Sequence, residues 1–354
     1  MKAGAVTPGQ KDSARVVEMD SPVSGQGEVL VKIIEVGIDG TDMEISQGNM
    51  GEAPQGQDFL VLGHEALGEV ERISGADLQE GDLVVPLVRR PDGCVNCRSG
   101  QSDMCIEGNY KECGILGAHG FLREYLVEEP PFLVKVPRNI KHVAVLTEPV
   151  SIVTKGVAQS VEFHSRCANP MQVALVLGAG SLGLLATAFL RLQGIDTHTL
   201  DIQPKSSLRG QLVEATGATY LDGREIDIAK LSRQLGNLDL IVQATGSSAV
   251  AFQAMSALGV NGVLCLLGVS TGGKQLEIAA DHINMEMVQG NRVVFGSVSS
   301  NRGHFERAIA LLAEIEQRWP GWLARLITRR LPLADFADAL RPAPDVIKTV
   351  IEMS

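Results

Sequence analysis

The spacing of apolar residues changes near residue 155 and divides the sequence into two parts. Before that point, short apolar and β-branched runs alternate with turns rich in Gly, Pro and Asp, as in EVLVKIIEVGI at 28–38. Further strands are predicted at 59–73, 81–88 and 132–137. Strands this short, separated by turn residues, are typical of a β-barrel-like domain.

The second part alternates apolar strands with helical stretches. VALVLG at 173–178 precedes a helical stretch that Gly194 ends as a C-cap. A helix is predicted near 206–217, and further strands at 197–200, 237–246, 261–269 and 291–298. This alternation predicts an α/β fold with a parallel, doubly wound sheet. A helix at 303–317 and a last strand at 346–353 follow, and this tail could return to the first part.

A glycine-rich loop joins the first strand of the second part to its helix. Gly178-Ala-Gly180-Ser-Leu-Gly183 has the G-x-G-x-x-G spacing, in which the glycines make the tight turn, admit a pyrophosphate and let helix and strand pack. The N–H groups of the helix N-terminus would face the phosphates. Asp201 ends the next strand, at a spacing suited to a ribose 2′-hydroxyl. The alternative is a cluster of packing glycines without a ligand.

Three segments of the first part carry carboxylate and imidazole groups that could bind a metal. Asp39 and Asp42 follow a strand, His64 and Glu65 lie in a strand–turn segment, and Glu148 lies near the change of pattern. Zn²⁺ accepts His nitrogen and carboxylate oxygen, and catalytic sites use three protein ligands and an open position. Spacing alone cannot bring these residues together, and a lone His in a turn is more often a structural hydrogen-bonding group than a ligand.

Composition and charge exclude several classes of function. The 354-residue chain is 45% apolar and 4% aromatic, with 31 basic and 42 acidic residues and a net charge of −11. Few aromatics and no basic stretch argue against a nucleic-acid partner. The uncharged run 173–190 is long enough to raise the question of a membrane span, but its Gly, Ser and Thr residues favour the strand–loop–helix interpretation. The N-terminus lacks the apolar core of a signal peptide, so we expect a soluble, cytoplasmic protein with reduced thiols and no membrane partner.

Four segments together resemble the zinc-dependent medium-chain dehydrogenase/reductase superfamily and, within it, the archaeal-type glucose 1-dehydrogenases. They are GIDGTD at 37–42, GHEALG at 63–68, TEPVSI at 147–152 and VLGAGSLG at 176–183. The resemblance extends over nearly the whole chain. It implies a GroES-like β-barrel catalytic domain formed by 1–152 and 301–354, a Rossmann nucleotide-binding domain at 153–300, and an active site in the cleft.

The resemblance assigns a catalytic metal to Asp39, His64 and Glu148, with Glu65 as an adjacent carboxylate that sometimes coordinates directly. Asp39 and Glu148 stand where many relatives have cysteine, and a harder ligand set should hold zinc less selectively. Asp42 would orient His64, and a turn-capping Asp is the alternative. The bound metal would act as a Lewis acid on the C1 oxygen of the substrate while a hydride passes from C1 to nicotinamide.

The resemblance also implies a sugar site and a path for the proton. Thr41 would carry the hydroxyl proton toward solvent. The sugar would contact Thr41, Glu148, Glu112, His119 and Ser299, and carboxylate and imidazole groups suit a ligand with many hydroxyls. For both Glu112 and His119, a solvated surface side chain is the alternative. Ser299 stands where glucose dehydrogenases have a sugar-binding asparagine, with Asn301 two residues further on, which weakens the assignment of glucose itself.

The cofactor implied by the resemblance is NAD(P), and the residues around the second strand favour NAD over NADP. A carboxylate at Asp201 would repel the 2′-phosphate of NADP, although Lys205 and Arg209 lie near enough in sequence to offset part of that repulsion. The expected cofactor-binding residues are Gly178, Gly180, Ser181, Leu182, Gly183, Asp201, Thr245, Gly246, Leu267, Gly268, Val269, Val298 and Ser299.

The cysteines match most of the superfamily's structural zinc lobe. That lobe has four cysteines spaced x2, x2 and x7; Cys94, Cys97 and Cys105 match the last three, and Pro91 holds the first position. Asp92 or Cys113 could complete a zinc site with three thiolates. The alternative is a degenerate lobe with free thiols. A redox pair is disfavoured because no thioredoxin-like pattern surrounds the cysteines.

These inferences predict a zinc-dependent dehydrogenase of carbohydrate metabolism that oxidises glucose or a related aldose at C1 to the lactone, as a homodimer or homotetramer. The alternatives are a dehydrogenase of another polyol, an aminocyclitol or a secondary alcohol, and a metal-free, non-catalytic cofactor-binding protein. The availability of Asp39, His64 and Glu148 argues against the last.

Overall fold

The computed structural model describes residues 1–73, 78–271, 273 and 275–353. These residues form two compact units. Unit 1 contains Met1–Ser151, Ser299–Glu316 and Leu323–Ser354, and unit 2 contains Ile152–Val298 and Gln317–Trp322. The segment Gln317–Trp322 contacts the rest of unit 2 through Trp322, whose indole N–H donates to the Leu212 carbonyl at 2.9 Å.

Nineteen strands are found in the described part of the chain. In chain order they are β1 (Lys2–Val6), β2 (Arg15–Glu18), β3 (Val29–Ile38), β4 (Leu60–Val61), β5 (Glu65–Ile73), β6 (Leu83–Pro86), β7 (Arg89–Arg90), β8 (Lys111–Cys113), β9 (Gly117–Ala118), β10 (Tyr125–Glu128), β11 (Leu133–Val136), β12 (Val173–Leu177), β13 (Asp196–Asp201), β14 (Thr219–Asp222), β15 (Leu240–Gln243), β16 (Val263–Leu266), β17 (Val293–Gly296), β18 (Ile327–Pro332) and β19 (Lys348–Glu352).

Ten α-helices and six short 3₁₀ helices connect these strands over the same described ranges. The α-helices are α1 (Gly40–Ser46), α2 (Val95–Arg98), α3 (Thr147–His164), α4 (Ser181–Leu192), α5 (Leu208–Ala215), α6 (Leu231–Leu235), α7 (Ser248–Ala257), α8 (Ala280–Gln289), α9 (Arg302–Arg318) and α10 (Phe336–Ala339). The 3₁₀ helices are Ser102–Met104, Pro130–Phe132, Arg138–Leu146, Ile228–Lys230, Leu323–Leu326 and Leu333–Asp335.

Unit 1 is organised around a seven-stranded sheet. Its strand order is β11-β6-β5-β3-β19-β18, and β10 also pairs with β3. The long strand β3 is central because its alternating apolar residues, among them Val31, Ile33 and Val36, are fully buried. The tail of the chain returns to this sheet, where β19 pairs antiparallel with β3. Residues from the beginning and the end of the sequence therefore become neighbours.

Unit 2 has the predicted doubly wound sheet. Its six strands are parallel, in the order β14-β13-β12-β15-β16-β17. The order reverses between β12 and β15, and ligands of such sheets bind at the carboxyl ends of the strands beside this switch point. The uncharged run 173–190 is divided between β12 and α4, and no described helix is long and apolar enough to cross a membrane. The predicted α/β class is confirmed.

Candidate metal and cofactor sites

Asp39 begins helix α1 at the end of β3 and serves as its N-cap. Its Oδ1 accepts the N–H groups of Thr41 at 2.8 Å and Asp42 at 3.2 Å. In return, the Asp42 carboxylate accepts the Asp39 N–H at 3.1 Å, which completes a capping box. The Thr41 hydroxyl lies 3.4 Å from the second oxygen of Asp39. The cap therefore fixes two carboxylates and one hydroxyl at the end of a central strand.

His64 lies between these two carboxylates, in the turn before β5. Its Nε2 is 3.6 Å from Asp39 Oδ2, and its Nδ1 is 3.8 Å from Asp42 Oδ1. Asp42 Oδ1 also accepts the Gly63 N–H at 3.1 Å, so it holds the turn that carries His64. Burial by itself lowers the pKa of His64. The carboxylates of Asp39 and Asp42 raise it by more, so this pKa lies well above its ordinary value. Asp42 thus faces one ring nitrogen, as expected of a residue that orients His64, and it caps α1 as well.

Glu148 lies in the first turn of α3 and belongs to the same group of charges. Burial raises its pKa to about 8, and the carboxylates of Glu65 and Asp39 contribute to the increase, whereas His64 and Lys348 oppose it. The pKa of Asp39 is lowered, because the effect of His64 outweighs that of burial. Two buried acids, Asp42 and Glu65, and two half-buried ones, Asp39 and Glu148, surround one imidazole and form a site suited to a divalent cation.

The donor atoms have the spacing that a metal requires. Two tetrahedral ligands at ~2.0–2.1 Å from a zinc ion are about 3.4 Å apart, and His64 Nε2 and Asp39 Oδ2 are 3.6 Å apart. One donor atom from each of Asp39, His64 and Glu65 lies within 4.8 Å of the other two. Asp39, His64 and Glu65 therefore fit zinc, whereas Glu148, the other predicted ligand, is not a member of this donor group.

Glu65 has a cation partner that sequence reasoning missed. Lys348 Nζ on β19 lies 2.6 Å from each of the two Glu65 carboxylate oxygens. The side chains are 2% and 1% exposed, so the ion pair is buried. The available signal in the sequence was a single Lys within the apolar run VIKTVIEM, but nothing local connects it with a residue 283 positions earlier.

His119 is held in place rather than solvated. Its ring stacks on Phe59, with centroids 5.1 Å apart and an interplanar angle of 20°. Its Nδ1 accepts the Val61 N–H at 3.2 Å. Burial and the nearby Arg123 lower its pKa. The ring is therefore neutral at neutral pH, with its hydrogen on Nε2.

Glu112 is fixed by a buried arginine. Its Oε1 accepts hydrogen bonds from Arg89 Nε at 3.0 Å and Nη2 at 2.9 Å. The third nitrogen of Arg89 donates to the carbonyls of Ser102 and Asp103, and Tyr110 stacks beneath the guanidinium at 3.7 Å. Glu112 is therefore a rigid carboxylate rather than a solvated side chain.

Ser299 has an unusual backbone. Its φ of +58° lies in the left-handed region, and its hydroxyl is buried without a hydrogen-bond partner in the described ranges. The neighbouring Ser300 hydroxyl is bonded to Ser151 at 2.5 Å. The Asn301 side chain is engaged within unit 1, where its Nδ2 donates to Asp103 at 2.8 Å.

The cysteine segment forms a second donor group, and Asp92 is its fourth member. Donor atoms of Asp92, Cys94, Cys97 and Cys105 all lie within 4.8 Å of one another. The Asp92 carboxylate is 3.3 Å from Cys97 Sγ and 2.9 Å from Cys105 Sγ. Cys113 is outside this group, and burial raises its pKa. Of the two fourth ligands considered, the geometry favours Asp92.

In unit 2, the glycine loop is followed by a helix whose N-terminus lacks a side-chain cap. The N-cap of α4 is Gly180, and Ser181 Oγ is buried without a partner among the described residues. A Cβ on Gly183 would lie 1.8 Å from the Gly178 carbonyl, so this position requires glycine. Backbone N–H groups and a hydroxyl thus remain for an anion.

Asp201 holds this loop in place. Its Oδ2 accepts the Ala179 N–H at 2.7 Å, and its Oδ1 accepts the Gln203 N–H at 2.9 Å. Arg209 Nη1 lies 3.8 Å from Oδ2, and the side chain of Asp201 is 9% exposed. The acid is therefore a structural support for the loop as well as a candidate ribose acceptor.

The remaining predicted cofactor residues lie at the carboxyl ends of β15, β16 and β17. Gln243 was not predicted from the sequence, yet it connects the ends of β15 and β16. Its Nε2 donates to the Thr245 carbonyl at 2.8 Å, and its Oε1 accepts the Gly268 N–H at 3.2 Å. Gly246 accepts a hydrogen bond from Ser270 at 2.9 Å. Leu267 is buried, whereas Val269 and Val298 are exposed. The structure thus brings the predicted residues of unit 2 to one edge of its sheet.

Comparison with known proteins identifies the family. The model of the alcohol dehydrogenase GroES-like domain matches residues 25–138, and that of the glucose dehydrogenase C-terminus matches residues 141–353. Glucose 1-dehydrogenase of Methanocella arvoryzae is 45% identical over all of this chain and 99% of that protein. The corresponding protein of Thermoproteus tenax is 42% identical with the same coverage.

A solved structure agrees with these relatives. Glucose dehydrogenase of Haloferax mediterranei, in complex with NADP, Zn and gluconolactone, is 37% identical and has a TM-score of 0.92 over all of this chain and 99% of that chain. The predicted resemblance is confirmed: the chain belongs to the glucose dehydrogenase family of zinc-dependent medium-chain dehydrogenases.

Proposed function

We propose that this protein is a zinc- and NAD(P)-dependent dehydrogenase that oxidises D-glucose, or a related aldose, at C1 to the aldonolactone. The observation that carries the proposal is the 3.6 Å approach of His64 Nε2 to Asp39 Oδ2 within a group of acidic side chains, in a chain similar throughout to glucose 1-dehydrogenases. The Haloferax complex with NADP, Zn and gluconolactone supports both the cofactor class and the product.

Asp39, His64 and Glu148 would hold the catalytic zinc. When bound, the zinc supplies a Lewis acid that makes the substrate hydroxyl more acidic. Asp42 faces Nδ1 of His64 and so leaves Nε2 for the metal. The residues of this chain thus supply three ligands and one orienting carboxylate.

Thr41 would receive the proton of the C1 hydroxyl. Its hydroxyl lies 3.4 Å from Asp39 Oδ2 and is part of a fixed helix cap. A hydroxyl both donates and accepts, so Thr41 can take a proton from the substrate as it gives its own toward solvent. A bound dinucleotide would supply the acceptor for the hydride from C1.

Glu112, His119, Glu148 and Ser299 would orient the sugar. Because His119 Nδ1 already accepts from Val61, only its Nε2–H is left, so His119 would donate to a sugar oxygen. Arg89 holds the Glu112 carboxylate in place, so this carboxylate would accept a hydrogen bond from a sugar hydroxyl. A donor and an acceptor in fixed positions suit a polyhydroxylated ring.

For the dinucleotide, the segment Gly178–Gly183 would bind the pyrophosphate, and Asp201 would accept from the ribose. The edge residues Thr245, Gly246, Leu267, Gly268, Val269, Val298 and Ser299 would line the remainder of the cofactor site. NAD would be preferred over NADP because the Asp201 charge opposes a 2′-phosphate. Arg209, 3.8 Å from that carboxylate, reduces the preference, and the NADP in the Haloferax complex is evidence against it.

A second zinc would bind Asp92, Cys94, Cys97 and Cys105. Cys94 Sγ and Cys105 Sγ are 3.9 Å apart, close to the ~3.8 Å between two thiolates on one tetrahedral zinc. We further propose a catalytic domain of 1–152 and 301–354, a nucleotide domain of 153–300, and a cytoplasmic homodimer or homotetramer.

The test is a panel of aldoses and polyols assayed by NAD(P)H absorbance. Metal-stripped, zinc-reconstituted and His64→Ala proteins are compared. We expect zinc-dependent reduction of the cofactor with glucose or a related aldose, and none from His64→Ala. Full activity of the metal-stripped protein, or turnover of polyols but no aldose, would contradict the proposal.

A further inference from the structure

A lysine is buried in unit 2, on the helix that precedes the parallel sheet. Lys155 lies in α3 between the buried Val153 and Val157, and it is only 2% exposed. Burial of an ammonium group is costly unless polar groups of the protein replace its water. The Nζ of Lys155 donates to the Val298 carbonyl at 2.9 Å. A lysine at this position therefore makes a contact that an apolar residue could not make.

Helix α3 approaches the sheet closely beside this lysine. A Cβ on Gly156 would lie 3.0 Å from Cys265 Sγ and 3.1 Å from Leu267 Cδ2, so the helix packs tightly on the end of β16. Strand β16 pairs with β17, and Val298 lies two residues after β17. The close packing therefore brings the Lys155 side chain to the carboxyl end of the last strand of the sheet.

Two hydrogen bonds fix the backbone that follows β17. The Ser297 N–H donates to the Leu266 carbonyl at 3.1 Å, and the Val298 carbonyl accepts from Lys155. The peptide bond between Val298 and Ser299 is trans, so its N–H points away from the carbonyl that Lys155 holds. This N–H has no acceptor among the described residues. Lys155 thus sets the direction of an unpaired backbone donor.

This backbone lies at the end of the sheet that faces the nicotinamide of a bound dinucleotide. Asp201, at the adenosine end, follows β13, whereas β16 and β17 lie on the other side of β12. Val298 is 61% exposed, and Val269, which follows β16, is 72% exposed. Two exposed valines suit the face of a planar ring, and an unpaired N–H suits a carboxamide oxygen.

We propose that Lys155 is a positioning residue for the nicotinamide end of the dinucleotide. By holding the Val298 carbonyl, it fixes the exposed Val298 side chain and the N–H of the next peptide in the orientation that receives the nicotinamide. This inference rests on the proposed function. It assigns Lys155 no contact with the cofactor and no part in proton transfer.

Lys155→Met keeps the length of the side chain and removes the donor, so the peptide after Val298 becomes free to rotate. The affinity for the reduced dinucleotide should fall about tenfold or more, because a charge-assisted hydrogen bond no longer opposes that rotation. The kcat should fall by a similar or larger factor, because the nicotinamide is misplaced. ADP-ribose lacks the nicotinamide and should bind with wild-type affinity, since Gly178–Gly183 and Asp201 are unchanged.

Both affinities are measured on the zinc-loaded protein without sugar. Fluorescence titration is used for NADH or NADPH, whichever the wild type binds more tightly, and calorimetry for ADP-ribose with the same ribose substituent. Ser160→Ala is the matched control. It removes a buried hydroxyl of the same helix, which donates to the Gly156 carbonyl at 2.7 Å, and should leave the ratio of the two affinities unchanged.

Equal losses of affinity for the dinucleotide and for ADP-ribose, or no loss for either, would overturn the proposal. A lysine that only stabilises unit 2 does not distinguish the two ligands. If Lys155→Met does not fold, Lys155→Gln, whose uncharged side chain is one bond shorter, is measured instead, and the same difference between the ligands is expected. Failure of the proposed function is a separate result: the wild type would then bind neither ligand, or bind both without oxidising any aldose.

Discussion

The Asp201 carboxylate accepts the Ala179 N–H at 2.7 Å, so an acid at the end of β13 holds the glycine loop that follows β12. It also accepts the Gln203 N–H, which leads into the segment carrying Lys205 and Arg209. The same carboxylate thus fixes the backbone on both sides of the adenosine end of the proposed cofactor site. Its replacement should affect loop geometry as well as charge.

For Asp201→Ala we expect a lower kcat/KM with NAD. The kcat/KM values for NAD and NADP should also differ by a smaller factor than in the wild type. Each hydrogen bond to a charged acceptor contributes about 1.5–3 kcal/mol, so the loss with NAD should be ~10-fold or more. NADP should lose less, because a charge opposing its 2′-phosphate is also removed. Both cofactors are measured at one sugar concentration and one ionic strength. A wild-type preference for NADP would show that Lys205 and Arg209 outweigh Asp201.

Dialysis against a strong chelator should abolish turnover, and added zinc should restore it. His64→Ala should lose one of the two proposed zinc ions and all activity but retain cofactor binding, because the residues of unit 2 are unchanged. Metal analysis of the purified variant and fluorescence titration with NADH measure the two effects. A His64→Ala protein with wild-type zinc content would contradict the assigned ligands.

Thr41→Val keeps the shape of the side chain and removes its hydroxyl. General acid–base steps contribute ~10²–10⁴-fold, so kcat should fall by about that factor. Thr41→Ser, which retains a hydroxyl, is the matched control and should keep most of the activity. Equal kcat values for the valine and serine variants at every pH would mean that the Thr41 hydroxyl takes no part in proton transfer and that the side chain only packs.

The cysteine site gives a prediction that separates Asp92 from Cys113. Asp92→Ala should lose the second zinc and unfold at a lower temperature, because a structural zinc contributes to folding stability. Cys113→Ala should retain that zinc, since Cys113 lies outside the donor group. Zinc content and thermal unfolding of the two variants decide the matter, and the opposite pattern would make Cys113 the fourth ligand.

His119 should remain uncharged to a lower pH than an ordinary histidine. Burial and Arg123 lower its pKa, so the folded protein should bind this proton only below the usual range near pH 6.5. Two-dimensional ¹⁵N NMR of the imidazole nitrogens, assigned with His119→Gln, should show the Nε2–H tautomer. A ring that titrates at or above the ordinary pKa would indicate that the burial of His119 beside Arg123 is not kept in solution.

Local patterns were sufficient to predict the α/β class, because strand and helix periodicity are properties of short segments. The glycine loop was predicted for the same reason: Gly178 and Gly183 are a few residues apart. Lys348 could not be predicted, since its partner Glu65 lies 283 residues away and only the pairing of β19 with β3 brings the two together. Gln243 was missed because a polar residue at the end of an apolar strand gives no sign of which loop it contacts. Spacing left Asp92 and Cys113 equivalent, and only the fold of the loop separated them.

The late position of β19 in the sequence has a consequence for how the site is made. During synthesis, β3 and β5 leave the ribosome long before Lys348, which lies 283 residues after its partner. Until β19 joins the sheet, the buried Glu65 carboxylate has no cation beside it. The ion pair of the central sheet therefore forms only once the end of the chain has been made, and the last strand completes unit 1.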